Sequence, residues 1–268
     1  MEIVKALTVA GSDTSGGAGL QADLKTFQEL GVYGMTALTV VVAQNPHQDW
    51  AHDVFPLPLE VLEAQLETVL AGIGVHALKT GMLATSEVIS LVAKKIDQYA
   101  VQNVVIDPVM VCKGTEEVLH PEAAISIREK LAPRATIITP NIFEAAQLSG
   151  IRSIQSVEDM KAAAANIFAL GPKNVLIKGG SKLGTPTAVD VLYDGENYEI
   201  IESEKINTKY THGAGCTYAA AITAGLAKGL SARDAVKQAK TFVTAAIRHS
   251  FPLNSYVGPT LHAAHRMK

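Results

Sequence analysis

Thr208-Lys209-Tyr210-Thr211-His212-Gly213-Ala214-Gly215-Cys216-Thr217 runs straight into the alanine-rich stretch Tyr218-Ala219-Ala220-Ala221. Glycines at the start of a helix let consecutive N–H groups converge on one point, and the helix dipole adds to them. Such a point binds anions. Phosphoryl transfer needs one, because charge on the transferring group must be stabilised. The spacing predicts a loop and then a helix over Gly215–Ala227, with the amides of Gly213, Ala214 and Gly215 aimed at an anion. Cys216 falls in the first turn, where a thiolate is favoured and a lowered pKa is expected. The competing reading is a buried cysteine packed against a sheet. Position, more than residue type, favours the reactive one. No G-x-x-x-x-G-K-[ST] motif occurs, so the anion site must come from this late turn and not from a P-loop.

Outward from that turn, strand-like and helical runs alternate. Ala6–Ala10, Met35–Ala43, His76–Lys79, Asn103–Met110, Thr136–Thr139 and Asn174–Lys178 read as strands. Ala18–Leu30 reads as a helix, with Leu20, Leu24, Phe27 and Leu30 on one face and Gly31 as its stop. Further helices are expected at Leu59–Leu70, Ser86–Tyr99, Pro121–Leu131, Ile142–Leu148, Ser156–Leu170 and Ser231–Arg248. Ala188–Tyr193 and Tyr198–Glu202 flank Asp194-Gly195, a hairpin signal, and Phe251–Lys268 reads as an irregular tail. Repeated βα units with one late antiparallel insert imply an α/β fold, three layers deep, with a mostly parallel central sheet. No repeat or linker divides residues 1–268, so one domain is expected. In such sheets ligands sit beyond the carboxyl ends of the strands.

Composition narrows the function. The 268 residues are 48% hydrophobic and 18% charged, which is globular. Aromatics at 5% give little material for stacking bases, and 23 Lys and Arg against 26 Asp and Glu form no basic stripe. Neither nucleic acid nor a membrane surface is an expected partner. The N-terminus begins as a strand and lacks a signal-peptide layout, so a cytoplasmic location is expected. The two cysteines, Cys112 and Cys216, lie too far apart in sequence for metal-ligand spacing, and a disulfide framework is not expected.

The first loop, Gly11-Ser12-Asp13-Thr14-Ser15-Gly16-Gly17-Ala18-Gly19, invites a rival reading. Gly17–Ala22 matches G-x-G-x-x-A, the dinucleotide fingerprint of an oxidoreductase. The glycines come several residues after the strand, however, and the next strand ends at Ala43-Gln44-Asn45 with no carboxylate for a ribose hydroxyl. A loop whose backbone closely approaches a small substrate fits better, with Asp23 one turn into the helix. A non-catalytic binding protein of the same fold is the third reading.

Taken in order, the motifs resemble the ribokinase-like superfamily. Ala10-Gly11-Ser12-Asp13, Ser15–Gly19, Gln21–Phe27, Tyr33-Gly34-Met35, Lys79-Thr80-Gly81-Met82, Asp107-Pro108-Val109-Met110, Thr139-Pro140-Asn141 with Glu144, Lys178-Gly179-Gly180 and Thr211–Cys216 all fit it. Each is weak alone; in sequence along nearly the whole chain they are specific. The superfamily places an Asp where this chain has Cys216, and that substitution is similar to the branch of vitamin kinases acting on hydroxymethylpyrimidine and on pyridoxal. The resemblance implies ATP as phosphoryl donor with Mg²⁺, leaves room for a monovalent cation, and implies a homodimer.

It also implies roles. The substrate ring is expected near Gly11, Asp23, Gln44, Met82 and Val109, although Met82 and Val109 fit ordinary core packing equally well. Asn141 and Glu144 are expected to help hold Mg²⁺ and phosphates, with Asn141 doubling as a helix N-cap. Lys178, Gly179 and Gly180, together with Thr208 and Gly213, are expected at the ATP. Cys216 is expected to relay the hydroxymethyl proton. Cys112, in Val109–Gly114, is expected to close as a lid, with Gly114 as hinge. Two cysteines and the tail Ser250–Pro259 are similar to pyridoxal kinases of this branch, where a thiolate can add to an aldehyde. Gln44 resembles the pyrimidine kinases, where an amide meets a ring amino group. His212 reads as a loop hydrogen-bonder, and His47, His52 and the tail histidines as surface residues.

Overall fold

The structure, a computed structural model, describes residues 2–110 and 121–267. In chain order it runs β1 (Lys5–Asp13), α1 (Gly19–Glu29), β2 (Tyr33–Asn45), β3 (Ala51–Pro56), α2 (Leu59–Leu70), β4 (Ala77–Thr80), α3 (Ser86–Gln98), β5 (Val104–Ile106) and α4 (Pro121–Ser126). The helical path of α4 continues through a wider turn at Ile127–Leu131. Then come β6 (Ile137–Ile138), α5 (Ile142–Ser149), α6 (Val157–Phe168), β7 (Val175–Gly180), β8 (Ala188–Tyr193), β9 (Tyr198–Ser203), α7 (Ala214–Ala227) and α8 (Ala232–Arg248).

Among the described residues the strands form one nine-stranded sheet in the order β3-β2-β1-β4-β5-β6-β7-β8-β9. From β2 to β7 neighbouring strands are parallel. Successive side chains of a strand point to opposite faces, and the central strands use both. Val104, Ile106, Ile138, Val175 and Ile177 enter the core under α2, α3, α5 and α6. Val105, Ile137 and Leu176 enter the opposite core under α7 and α8. On that second face Ala220 and Ala224 of α7 pack with Phe27 of α1 and Ala6. Each such fully buried aliphatic side chain contributes about 1.5–3 kcal/mol. This is the expected three-layer α/β architecture.

Several boundaries differ from the sequence reading. Ala51–Pro56 carries no clean alternation and includes a proline, yet it pairs antiparallel with the end of β2 and sets Gln44 opposite His52. The sheet therefore has an antiparallel edge on this side as well as at β7-β8-β9. β1 runs beyond Ala10 to Asp13, across an irregularity between Ala10 and Ser12. β5 stops at Ile106, since Pro108 has no N–H for the ladder. The tail is not wholly irregular: it closes in a short 3₁₀ turn, His262–Arg266. No helix among the described residues is long and apolar enough to cross a membrane.

Candidate active site

The turns after β1, β4 and β5, the end of β2, the head of α5 and Lys178 of β7 open, with the head of α7, onto a cavity of about 220 Å³. Its wall includes Gly11, Gln44, Met82, Val109, Asn141, Glu144, Lys178, Gly213, Ala214, Gly215 and Cys216, so the structure brings these expected residues together. It adds Asp13, His52, Lys79, Asp107 and His212 to the lining.

Gly213 shapes the anion turn. It is the N-cap of α7 in the left-handed region, φ +79°, where a glycine has no steric penalty. Among the described residues no side chain caps this helix end; the amide of Ala214 donates to Thr211 O at 3.1 Å, while those of Gly213, Gly215 and Cys216 are left for whatever enters the cavity. The turn lies directly against the first loop: a Cβ on Gly213 would collide with the carbonyl oxygen of Gly17. Asp13 ties the first loop together. Its Oδ1 accepts from Ser15 N at 2.9 Å, and its Oδ2 accepts from Ser15 Oγ at 2.8 Å and Ala18 N at 2.9 Å. His212 Nε2 reaches the same Oδ2 at 2.6 Å. Burial favours the neutral acid, but the bonds from His212 and Ser15 outweigh it and hold Asp13 well below the usual carboxylate range.

Under the cavity lies a set of buried charges. Lys79 Nζ is 2.8 Å from Asp23 Oδ2, and Lys178 Nζ is 2.7 Å from Asp107 Oδ1. Burial opposes both ammonium charges, and the neighbouring carboxylates still raise both lysines above their ordinary value. Glu144 sits in a capping box: its carboxylate accepts from Asn141 N at 2.7 Å while Asn141 Oδ1 accepts from Glu144 N at 3.0 Å. Burial pushes Glu144 up to about 7, Lys178 pulling against it and Asp107 adding to it. Cys216 departs from the expected lowered pKa. Burial, outweighing the nearby Lys79, pushes its thiol up to about 11, so it is protonated at neutral pH.

Other expectations fall elsewhere. Asp23 is fully buried beneath the cavity, where Oδ2 is held by Lys79 and by Thr8 Oγ1 at 2.6 Å, so it does not meet a substrate ring. Gly179, Gly180 and Thr208 do not line the cavity. The amide of Gly180 donates to Asp190 Oδ1 at 3.2 Å, and Thr208 Oγ1 lies 3.2 Å from Ser250 Oγ. The lid reading of Cys112 with Gly114 lies outside the described residues. His52 is half-buried against the cavity and His262 is buried, so neither is a surface residue. Gln44 donates weakly to Asp13 Oδ1 at 3.4 Å, and among the described residues its buried Oε1 has no partner. Lys79 and Asp107 lie inside motifs that the sequence displays, at strand ends, and that position was the signal for them. Asp13 ends the Ala-Gly-Ser-Asp motif, but nothing local points it toward His212.

The chain matches the family described as phosphomethylpyrimidine kinase over residues 13–261. It is 61% identical over 267 residues to a Bacillus subtilis (strain 168) protein named pyridoxine kinase, covering 100% of this chain and 98% of that one. Its structure superposes on the ADP complex of Bacillus subtilis pyridoxal kinase with a TM-score of 0.97 at 61% identity, covering both chains completely. It superposes on the Staphylococcus aureus pyridoxal kinase in complex with AMP-PCP and pyridoxal with a TM-score of 0.94 at 47% identity, covering 100% of this chain and 96% of that one.

Proposed function

The chain belongs to the phosphomethylpyrimidine kinase family, and we propose that its cavity takes pyridoxal and pyridoxine, which it phosphorylates on the 5-hydroxymethyl group. It is an ATP-dependent kinase of a small alcohol. The observation that carries the reading is one shared cavity: the head of α7, with the uncapped amides of Gly213, Gly215 and Cys216, and the wall of Gly11, Gln44, Met82 and Val109 line the same space. Donor and acceptor can therefore meet without crossing protein.

The acceptor ring lies against Met82 and Val109, with Gln44 Oε1 taking a ring hydroxyl proton donor. The ATP lies toward Lys178, Asn141 and Glu144, its transferring group at the free amides of Gly213, Gly215 and Cys216. Cys216 enters as a thiol and acts as a relay. Its sulfur takes the hydroxymethyl proton while its own proton passes to a phosphoryl oxygen; the alcohol oxygen bonds to the γ-phosphorus as the bond from that phosphorus to the bridging oxygen breaks and ADP leaves. Orientation and the amide cradle supply most of the rate.

Mg²⁺ suits the donor set. Asn141, Glu144 and Asp107 offer hard oxygens, while no group of three or more His, Cys, Asp or Glu among the described residues forms a closed cage. That pattern fits an ion that keeps most of its waters, so Asn141 and Glu144 would hold it through water. It would supply charge to the phosphate oxygens. The reading carries with it a cytoplasmic homodimer, which light scattering of the purified protein tests.

A second reading is hydroxymethylpyrimidine and phosphomethylpyrimidine phosphorylation in thiamine synthesis, alone or beside the first. The family description and Gln44 favour it, since an amide acceptor also suits a ring amino group. Rates for pyridoxal, pyridoxine and hydroxymethylpyrimidine, measured side by side with ATP, decide. Turnover confined to the pyrimidine would replace the first reading with the second, and NAD(P) binding without ATP consumption would remove both.

A further inference from the structure

The cavity has two halves supplied by segments far apart in the chain. The first loop forms the acceptor side, and Thr211–Cys216 forms the phosphate side. Asp13 and His212, 199 positions apart, join them through the 2.6 Å contact between Oδ2 and Nε2. Both residues are buried, at 5% and 8% exposure. On the far side the main chain of His212 is fixed by the tail. Its N–H donates to Gly258 O at 3.0 Å, and its carbonyl accepts from Thr260 N at 3.2 Å. The fit has no slack: a Cβ on Gly17 would lie 2.5 Å from His212 Cδ2.

A buried carboxylate-to-imidazole bond of this length is a strong, directional tether. It ends one residue before Gly213, where the amide cradle begins. Asp13 at the other end also holds Ala18 N, the head of α1. The tether thus sets how far the acceptor loop lies from the cradle. In-line transfer is sensitive to that distance, and a displacement of about 1 Å costs on the order of 100-fold in rate.

We infer that Asp13 and His212 are a positioning pair that locks the acceptor loop to the phosphate cradle and so governs turnover through the two segments it joins. The inference rests on the kinase reading above. Losing the latch slows transfer to the acceptor while nucleotide still binds. It also lets water compete for the phosphoryl group, which passes from ATP to water in place of the alcohol.

The test compares wild type, His212→Ala, His212→Gln and Asp13→Asn as full chains, with pyridoxine and ATP. It measures kcat, KM for ATP, AMP-PCP affinity by calorimetry, folded fraction by circular dichroism, and ATP consumed per product formed. His212→Ala is expected to lose kcat by about 10- to 100-fold with AMP-PCP affinity kept within about twofold and more ATP consumed per product. His212→Gln, whose amide nitrogen reaches where Nε2 does, is expected to recover most of the loss. Asp13→Asn, which keeps the shape of the side chain, reports the same loss from the other end should His212→Ala fail to fold. The latch is overturned by near wild-type kcat in the folded variants, by a kcat loss matched by lost nucleotide affinity or lost folded protein, or by His212→Gln no better than His212→Ala. Wild type inert toward pyridoxine, pyridoxal and hydroxymethylpyrimidine alike would instead overturn the kinase reading.

Discussion

Lys79 reaches Asp23 at 2.8 Å where neither side chain is exposed to solvent, and Asp23 Oδ1 has no hydrogen-bond partner among the described residues. A buried pair with one unsatisfied oxygen is costly to break, because the surviving charge loses its hydrogen-bonded counterion at a site shielded from solvent. Lys79→Met or Asp23→Leu alone is expected to destabilise the fold by about 3–5 kcal/mol in urea unfolding. The double variant Asp23→Leu with Lys79→Met should lose much less. Single variants that unfold at the wild-type urea concentration would contradict this account.

Glu144 has a pKa near 7 in the folded chain against an ordinary 4.5. The folded state therefore prefers the protonated acid. That contribution is complete below the unfolded value and disappears as pH rises through about 7. Glu144→Gln keeps an acceptor for Asn141 N and cannot ionise. Its stability relative to wild type is expected to improve between about pH 5 and about pH 8. Urea midpoints at both pH values check this, and an equal difference at the two would count against the buried acid.

Cys216, raised to about 11, should be a slow nucleophile toward iodoacetamide at neutral pH. In a Cys112→Ser background its alkylation rate is expected to climb about tenfold per pH unit up to that value. Rapid labelling at neutral pH would restore the thiolate. For the reaction itself, Cys216→Ala is expected to lose turnover by about 100-fold or more with ATP still bound. Unchanged turnover would remove the relay.

The two cysteines can be separated by substrate. Cys112→Ala is expected to slow pyridoxal phosphorylation more than pyridoxine phosphorylation, because only the aldehyde can form a thiol adduct. Matching losses in kcat/KM for the two would speak against an adduct.

Gly213→Ala forces φ +79° on a residue with a Cβ and drives that carbon into the carbonyl of Gly17. The conformation alone costs on the order of 1–3 kcal/mol. Turnover is expected to fall further than stability does, since the strain is relieved by opening the cradle. Wild-type kcat in this variant would show that the turn tolerates rearrangement.

Much of the fold can be read from the chain because periodicity is local. Leu59–Leu70 and Ala188–Tyr193 form the expected helix and strand at their expected bounds. β3 was hidden because an edge strand that is half exposed and ends in Pro56 needs no alternation. The anion turn could be read since glycines at a helix head act within a few residues. Asp23 was misplaced toward the cavity for the opposite reason. Helical spacing says which residues share a face, not what lies under it, and Lys79 reaches Asp23 from 56 positions away. The thiol of Cys216 is less acidic than its place in the first turn suggests for the same reason, since burial and the carboxylates of Asp23 and Asp107, set by distant elements, outweigh Lys79.

The seam between Gly17 and Gly213 is main chain against main chain. The peptide units limit how closely it can close, and the Asp13–His212 bond holds it there. Substitutions on the opposite wall, around Gln44, His52 and Met82, can recast which ring is admitted while the gap to the phosphate stays constant.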